Sequence, residues 1–164
     1  MPLTSYAIAL GSNRRGRHGG PTATVRAALS ALDALGGVVA ASDIMFTRPV
    51  GPSLRRFANM VAIIESAAAP DVLLRQLKAI ERGFGRRRGQ RWGARVIDLD
   101  IILWSGGAWA SSGAMNALVI PHPRFRERDF VLRPLAQIAP TWRDPVSGRT
   151  IRHLVAIDRR PRAA

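Results

Sequence analysis

Between Ser5 and Trp104, two amphipathic stretches interrupt four short aliphatic runs, and that order leaves few folds open. The first stretch starts at Pro21, and Val25, Ala28, Leu29, Leu32 and Leu35 recur on one helical face. Proline suits a first helical turn and Gly36-Gly37 suits its stop. The second opens on Pro70-Asp71, carries Leu73, Leu74, Leu77 and Ile80, and meets Gly83 and Gly85. Its aspartate lies where the helix dipole favours negative charge. Ser5–Leu10, Val38–Thr47, Phe57–Ser66 and Val96–Trp104 are rich in β-branched and aliphatic residues and read as strands. The order β-α-β-β-α-β predicts a ferredoxin-like split βαβ unit, an α+β core with a mostly antiparallel sheet and both helices on one face. The other face must be covered or carry a site. A short helix over Phe130–Ile138, ending near Pro140, is expected as part of a three-layer α/β/α arrangement.

The rest is less regular. Ser105–Ala117 reads as loop, and Val119–Arg124 as a short extended piece broken by prolines. No repeat and no long linker is present, so a single domain is expected over residues 1–158, with a loose basic tail over 159–164. A chain of 164 residues can bury its own core. No apolar run is long enough to cross a bilayer, and Met1–Tyr6 has no basic n-region, so a cytoplasmic address is expected; a monomer is the default expectation for oligomeric state, which no sequence feature specifies. Cysteine is absent, which excludes disulfides and thiolate metal sites. The formal charge of +14 points to anionic partners, but Lys78 is the only lysine and arginine supplies the rest. That skew fits compositional bias, so a single arginine counts only where its neighbours give it a task.

Asp98 and Asp100 interrupt the fourth strand, Val96-Ile97-Asp98-Leu99-Asp100-Ile101-Ile102-Leu103. Side chains alternate across a strand, so the two carboxylates share a face about 7 Å apart at Cα, with Val96 and Ile102 beside them. Acids among apolar neighbours are costly unless paired or metal-bound. Magnesium prefers one or two carboxylates together with phosphate oxygens and water. The loop leading into this strand, Gly85-Arg86-Arg87-Arg88-Gly89-Gln90-Arg91-Trp92-Gly93-Ala94-Arg95, combines glycine hinges, guanidinium grips and one large aromatic. Those are the properties of a segment that closes over a polyphosphate. His122, in Pro121-His122-Pro123, is followed by Arg124, Arg126 and Arg128, within reach of a phosphate. Asn59 falls in an apolar strand with Phe57 on its face. An amide reads the polar edge of a heterocycle, an aromatic stacks on its plane, and Phe130 can supply the opposite slab. No phosphate-loop motif, dinucleotide fingerprint or nucleophile elbow occurs.

These motifs, in this order, resemble the hydroxymethyl-dihydropterin pyrophosphokinase family from Ala7-Ile8-Ala9-Leu10-Gly11-Ser12-Asn13 to about Pro140. The most specific matches are Arg91–Ile101, Ile120-Pro121-His122-Pro123-Arg124 and Glu127-Arg128-Asp129-Phe130-Val131-Leu132. The resemblance implies transfer of pyrophosphate from ATP to 6-hydroxymethyl-7,8-dihydropterin, with release of AMP, in folate biosynthesis. It implies that Asp98 and Asp100 hold two magnesium ions, and that Arg86 and Arg95 act on the transferring group. Arg88, Arg91, Trp92, Ile101, His122 and Arg128 match ATP-binding positions, with Trp92 on the sealing loop and Ile101 near the adenine. Thr47, Pro49, Val50, Phe57, Asn59 and Phe130 match the pterin site. Arg48 stands where proline is common in the family, Phe57 where tyrosine occurs, and Ala117 and Val119 where polar residues occur. Two alternatives remain open at this point. One is a basic ferredoxin-like module that binds RNA, and the other a non-catalytic relative that binds nucleotide only; with the pyrophosphokinase reading, no nucleic acid and no membrane is expected as a partner.

Overall fold

The computed structural model describes residues 2–48, 56–85, 95–113 and 117–159. Its element order is β1 (Thr4–Ser12), α1 (Pro21–Gly36), β2 (Val38–Ala41), β3 (Met45–Thr47), β4 (Phe57–Ser66), α2 (Pro70–Phe84), β5 (Asp98–Trp104), β6 (Trp109–Ala110), β7 (Val119–Ile120), α3 (Asp129–Ile138) and α4 (Ile151–Asp158), with a 3-10 turn at Phe125–Glu127. The main sheet runs β2-β4-β1-β5 with β3 also on β4, and every pairing is antiparallel. This is the ferredoxin-like order expected from the alternation of runs.

β4 lies beneath helices on both faces, which is why Ala58 to Ile64 reads as apolar almost without alternation. On one face α1 and α2 deliver Val25, Ala28, Leu32, Leu73 and Leu77 onto Tyr6, Ile8, Leu10, Met60, Ala62 and Ile64. On the other, Val131, Leu132 and Leu135 of α3 and Ile151 and Leu154 of α4 cover Ala7, Val61, Ile63 and Leu103. The architecture is therefore three layers, α/β/α. The end of α1 is tight against the sheet. A Cβ built on Gly36 would stand 2.2 Å from the Glu65 carbonyl oxygen. Gly36→Ala must push backbone, and a loss of about 1–3 kcal/mol is expected in denaturant melts.

Two expectations require correction, and one further helix was not anticipated. The run Val38–Thr47 is two strands, because Ser42 and Asp43 take the ladder out of register. The Ser42 hydroxyl accepts from the Val61 N–H at 3.0 Å, and Asp43 is clasped by Gln137 of α3, which accepts from its N–H at 2.9 Å and donates to its carboxylate at 2.6 Å. Short polar side chains compete with ladder bonds in this way. The stretch Ser105–Ala117 contains β6, which pairs with β7. The segment after Pro140 folds into α4, capped by Thr150, whose hydroxyl accepts from the His153 N–H. Residues 160–164, most of the expected tail, lie outside the described residues.

Candidate active site

The register of three adjacent strands builds the site. Asn59 of β4 lies beside Gly11 of β1, which lies beside Asp98 of β5. One step further along, Val61, Ala9 and Asp100 form a parallel row. Neighbouring strands are separated by about 4.8 Å, so Asn59 and Asp98 stand roughly 10 Å apart, about the span of a two-ring heterocycle. Gly11 and Ala9 leave the floor between them hollow. A Cβ on Gly11 would already touch the Asn59 Oδ1 at 3.4 Å. The result is a cavity of about 280 Å³, with Phe57 and Thr47 at one side, the two aspartates at the other, and Arg128 and Phe130 from the start of α3 above.

Asn59 is buried, and its amide nitrogen donates to the Thr47 hydroxyl at 3.0 Å and to the Met45 carbonyl at 3.3 Å. β3 thus fixes the amide and leaves its oxygen facing the cavity floor. The Arg128 guanidinium lies 5.8 Å from the centre of the Phe130 ring, a cation–π contact that steadies both groups at the rim.

The carboxylate side is electrostatically strained. Burial pushes the Asp98 carboxyl above the ordinary range, Arg95 pulls it back, and the neighbouring charges of Glu81 and Asp100 push it up again. Arg95 Nε meets Asp98 Oδ1 at 3.0 Å, while the Asp100 carboxylate has no ion pair or side-chain hydrogen bond to another described residue. Burial lowers the pKa of His122, and Arg128 and Arg124 lower it further against the opposing pull of Asp100. Its Nδ1 accepts from the Arg124 N–H at 3.1 Å, and its own N–H donates to the Ile102 carbonyl on the outer edge of β5. Two half-exposed carboxylates facing one cavity, one of them with no counter-cation among the described residues, fit a magnesium ion that also binds phosphate. Among the described residues, no three acidic, histidine or cysteine side chains gather into a complete cage. The donor set therefore suits a metal that completes its shell with substrate oxygens.

Thr47, Phe57, Asn59, Asp98, Asp100, Arg128 and Phe130 are thus brought together in one cavity. Arg95 and His122 adjoin it through Asp98 and Asp100. The Ile101 side chain lies apart, in the core under α1 and α2 at 3% exposure. Pro49, Val50, Arg86, Arg88, Arg91 and Trp92 lie outside the described residues. Three residues were not singled out, Ala9, Gly11 and Glu81, and Arg48, noted only for standing where proline is common, also lines the cavity. The first two are recognisable only from register. Glu81 is four residues after Leu77 on the apolar stripe of α2, a position where an acid is conspicuous.

Fold and site together define a ferredoxin-like domain with an aromatic-walled slot that ends in paired carboxylates. Residues 7–140 match the 7,8-dihydro-6-hydroxymethylpterin-pyrophosphokinase family, and the chain belongs to that family. Proteins named 2-amino-4-hydroxy-6-hydroxymethyldihydropteridine pyrophosphokinase are similar to it along most of its length. The one from Pseudomonas aeruginosa is 40% identical over 152 residues, 91% of this chain and 88% of the relative. That from Methylorubrum extorquens is 37% identical over 157 residues, 94% of this chain and 93% of the relative. A Synechocystis relative is 41% identical over 109 residues, 66% of this chain, and the match spans 54% of the relative's own length. The crystal structure of wild-type Plasmodium falciparum HPPK-DHPS superposes on 95% of this chain with a TM-score of 0.78 at 15% identity, and the match covers 45% of that longer chain.

Proposed function

We propose that the protein transfers pyrophosphate from ATP to 6-hydroxymethyl-7,8-dihydropterin and releases AMP. The observation that carries this reading is one cavity in which a ring-reading amide and a carboxylate pair stand on opposite sides of a glycine. A flat pterin fits between Phe57 and Phe130 with its polar edge at Asn59. Its hydroxymethyl group then points toward Asp98 and Asp100. The hydroxyl oxygen attacks the β-phosphorus in line and gives up its proton to solvent, the bond from that phosphorus to the oxygen bridging it to the α-phosphorus breaks, and AMP leaves with that oxygen. Magnesium held by Asp98 and Asp100, two ions in the fullest form of the reading, would neutralise phosphate charge. Arg95 and Arg86 stabilise the charge that builds during transfer. Arg88, Arg91, Arg128 and His122 hold ATP, Trp92 seals the site, and Pro49 and Val50 complete the pterin pocket with Thr47. Since the Ile101 side chain is in the core, any contact it makes with the adenine falls to its backbone on the edge strand β5.

The test is AMP release from ATP, with and without the pterin, at saturating magnesium. Pterin-dependent AMP supports the reading, and ATP binding without AMP release would leave only a nucleotide-binding relative. Gly11→Val fills the hollow floor, and a KM for the pterin raised roughly tenfold or more is expected with little change for ATP. Trp92→Ala is expected to slow turnover, and unchanged kinetics would remove the lid from the account. An RNA-binding module is disfavoured because such sheets stack bases on strand aromatics, whereas the edge strand β5 here carries two carboxylates that repel phosphate. No helix among the described residues is long and apolar enough to cross a membrane. A single cytoplasmic domain acting as a monomer is the arrangement we favour.

A further inference from the structure

Glu81 is buried at 3% exposure on the face of α2 that meets the sheet edge. Its carboxylate accepts from the Leu99 N–H at 2.8 Å, and Leu99 is the residue between the two cavity aspartates. β5 is the last strand of the main sheet, so the side chain does for Leu99 what a neighbouring strand would otherwise do. The same carboxylate meets Lys78 Nζ at 3.2 Å and Arg95 Nη1 at 3.8 Å. Arg95 is therefore shared, its Nε on Asp98 and its Nη1 toward Glu81.

A neutral side chain would satisfy the Leu99 N–H equally well. A buried charge is costly, and its distinctive consequence is the hold it exerts on cations. Without it, Arg95 has only Asp98 to pair with. It would then settle on the carboxylate that the reaction needs for its own charge balance, or leave the site. We infer that Glu81 is a positioning residue: it ties α2 to the peptide between Asp98 and Asp100 and keeps Arg95 divided between two carboxylates, ready for the phosphate chain. This rests on the pyrophosphate-transfer reading and adds to it a buried acid that touches no substrate.

Glu81→Gln keeps the shape and the acceptor for Leu99 and removes the charge. It is expected to fold and melt cooperatively, to lose roughly tenfold to a hundredfold in kcat, and to leave the KM for the pterin within about twofold. In an Arg95→Ala background the same substitution should cost less than about twofold, because its effect travels through the arginine. Equal losses in both backgrounds, or a lowered melting temperature with unchanged kcat, would overturn the proposal. A readout independent of turnover is the Arg95 Nε–H signal in nitrogen-15 NMR. Its chemical shift and its protection from exchange should change in Glu81→Gln, rising if Arg95 settles on Asp98 and falling if it leaves the site, and an unchanged signal would also count against the idea. Wild-type protein that releases no AMP would refute the transfer reading alone, and the NMR comparison would still judge Glu81.

Discussion

Asparagine at position 100 is expected to abolish AMP release, by about a thousandfold or more, while the protein stays folded. Asp100 faces the cavity with no ion pair among the described residues. Among the described residues its charge pairs with nothing, which suits a cation that binds phosphate. Loss of that charge removes several kcal/mol of electrostatic stabilisation from the transferring group. Asp98→Asn should inactivate similarly but behave differently in a melt. Burial leaves the folded-state carboxyl of Asp98 above its ordinary value despite Arg95. A group raised in this way favours the fold when protonated, and that contribution is lost as pH rises through the folded-state pKa. The ionised form thus opposes folding at pH 7. Asp98→Asn should melt no lower than the parent at neutral pH, and any gain should shrink as pH falls through the raised folded-state pKa and be gone below about 4, where the carboxyl is protonated in both folded and unfolded parent. Calorimetry at the two pH values and an AMP assay at saturating magnesium check both halves. Near-normal turnover in both variants would remove the carboxylate pair from the mechanism, and a large drop in melting temperature for Asp98→Asn at pH 7 would show its pairing with Arg95 outweighing burial.

Local patterns carried much of this architecture. Proline and glycine punctuate α1 and α2, and their apolar spacing is helical over four turns, so both elements and the strands between them were legible. The shared face of Asp98 and Asp100 follows from the period of a strand alone, as does that of Phe57 and Asn59. What was not legible depends on distant partners. The break between β2 and β3 needs Gln137, far along the chain, to hold Asp43. β6 and β7 are two residues each, too short for alternation to show. α4 has its cap in Thr150, yet its reason to form is the apolar face of β4 and α3, which no local pattern displays. Gly11 and Ala9 become a cavity floor only once β1 is set between β4 and β5, and Glu81 gains its meaning only when α2 lies against the edge of β5.

The largest effect on stability is expected at a residue remote from the chemistry. Asp144 is fully buried in the turn between α3 and α4. Arg126 grips it with two bonds, Nε to Oδ2 at 2.6 Å and Nη2 to Oδ1 at 2.7 Å, while the Ser147 hydroxyl and the Val146 N–H donate to it as well. Burial pushes this carboxyl up, but the bonds from Arg126, Ser147 and Val146 outweigh it and hold the pKa at about 2. Removing one partner of such a pair leaves the other charge uncompensated, at a cost of roughly 3–5 kcal/mol. For a domain of this size, that is a fall in melting temperature of roughly 6–20 °C for Asp144→Ala at pH 7. The pH dependence has the sign opposite to that of Asp98. A lowered carboxyl stabilises the fold above its unfolded value, near 4, and that stability is lost as pH falls toward 2. The parent should therefore weaken steeply across that interval, and Asp144→Ala should lack this share of the slope. Arg126 also lies over the Phe125 ring, 4.6 Å from its centre, in the turn just before Arg128 and Phe130. Loosening the pair should thus raise the KM for the pterin even well below the melting temperature. A variant that melts within about 2 °C of the parent would mean that packing of α3 and α4, rather than this ion pair, holds the C-terminal layer to the sheet.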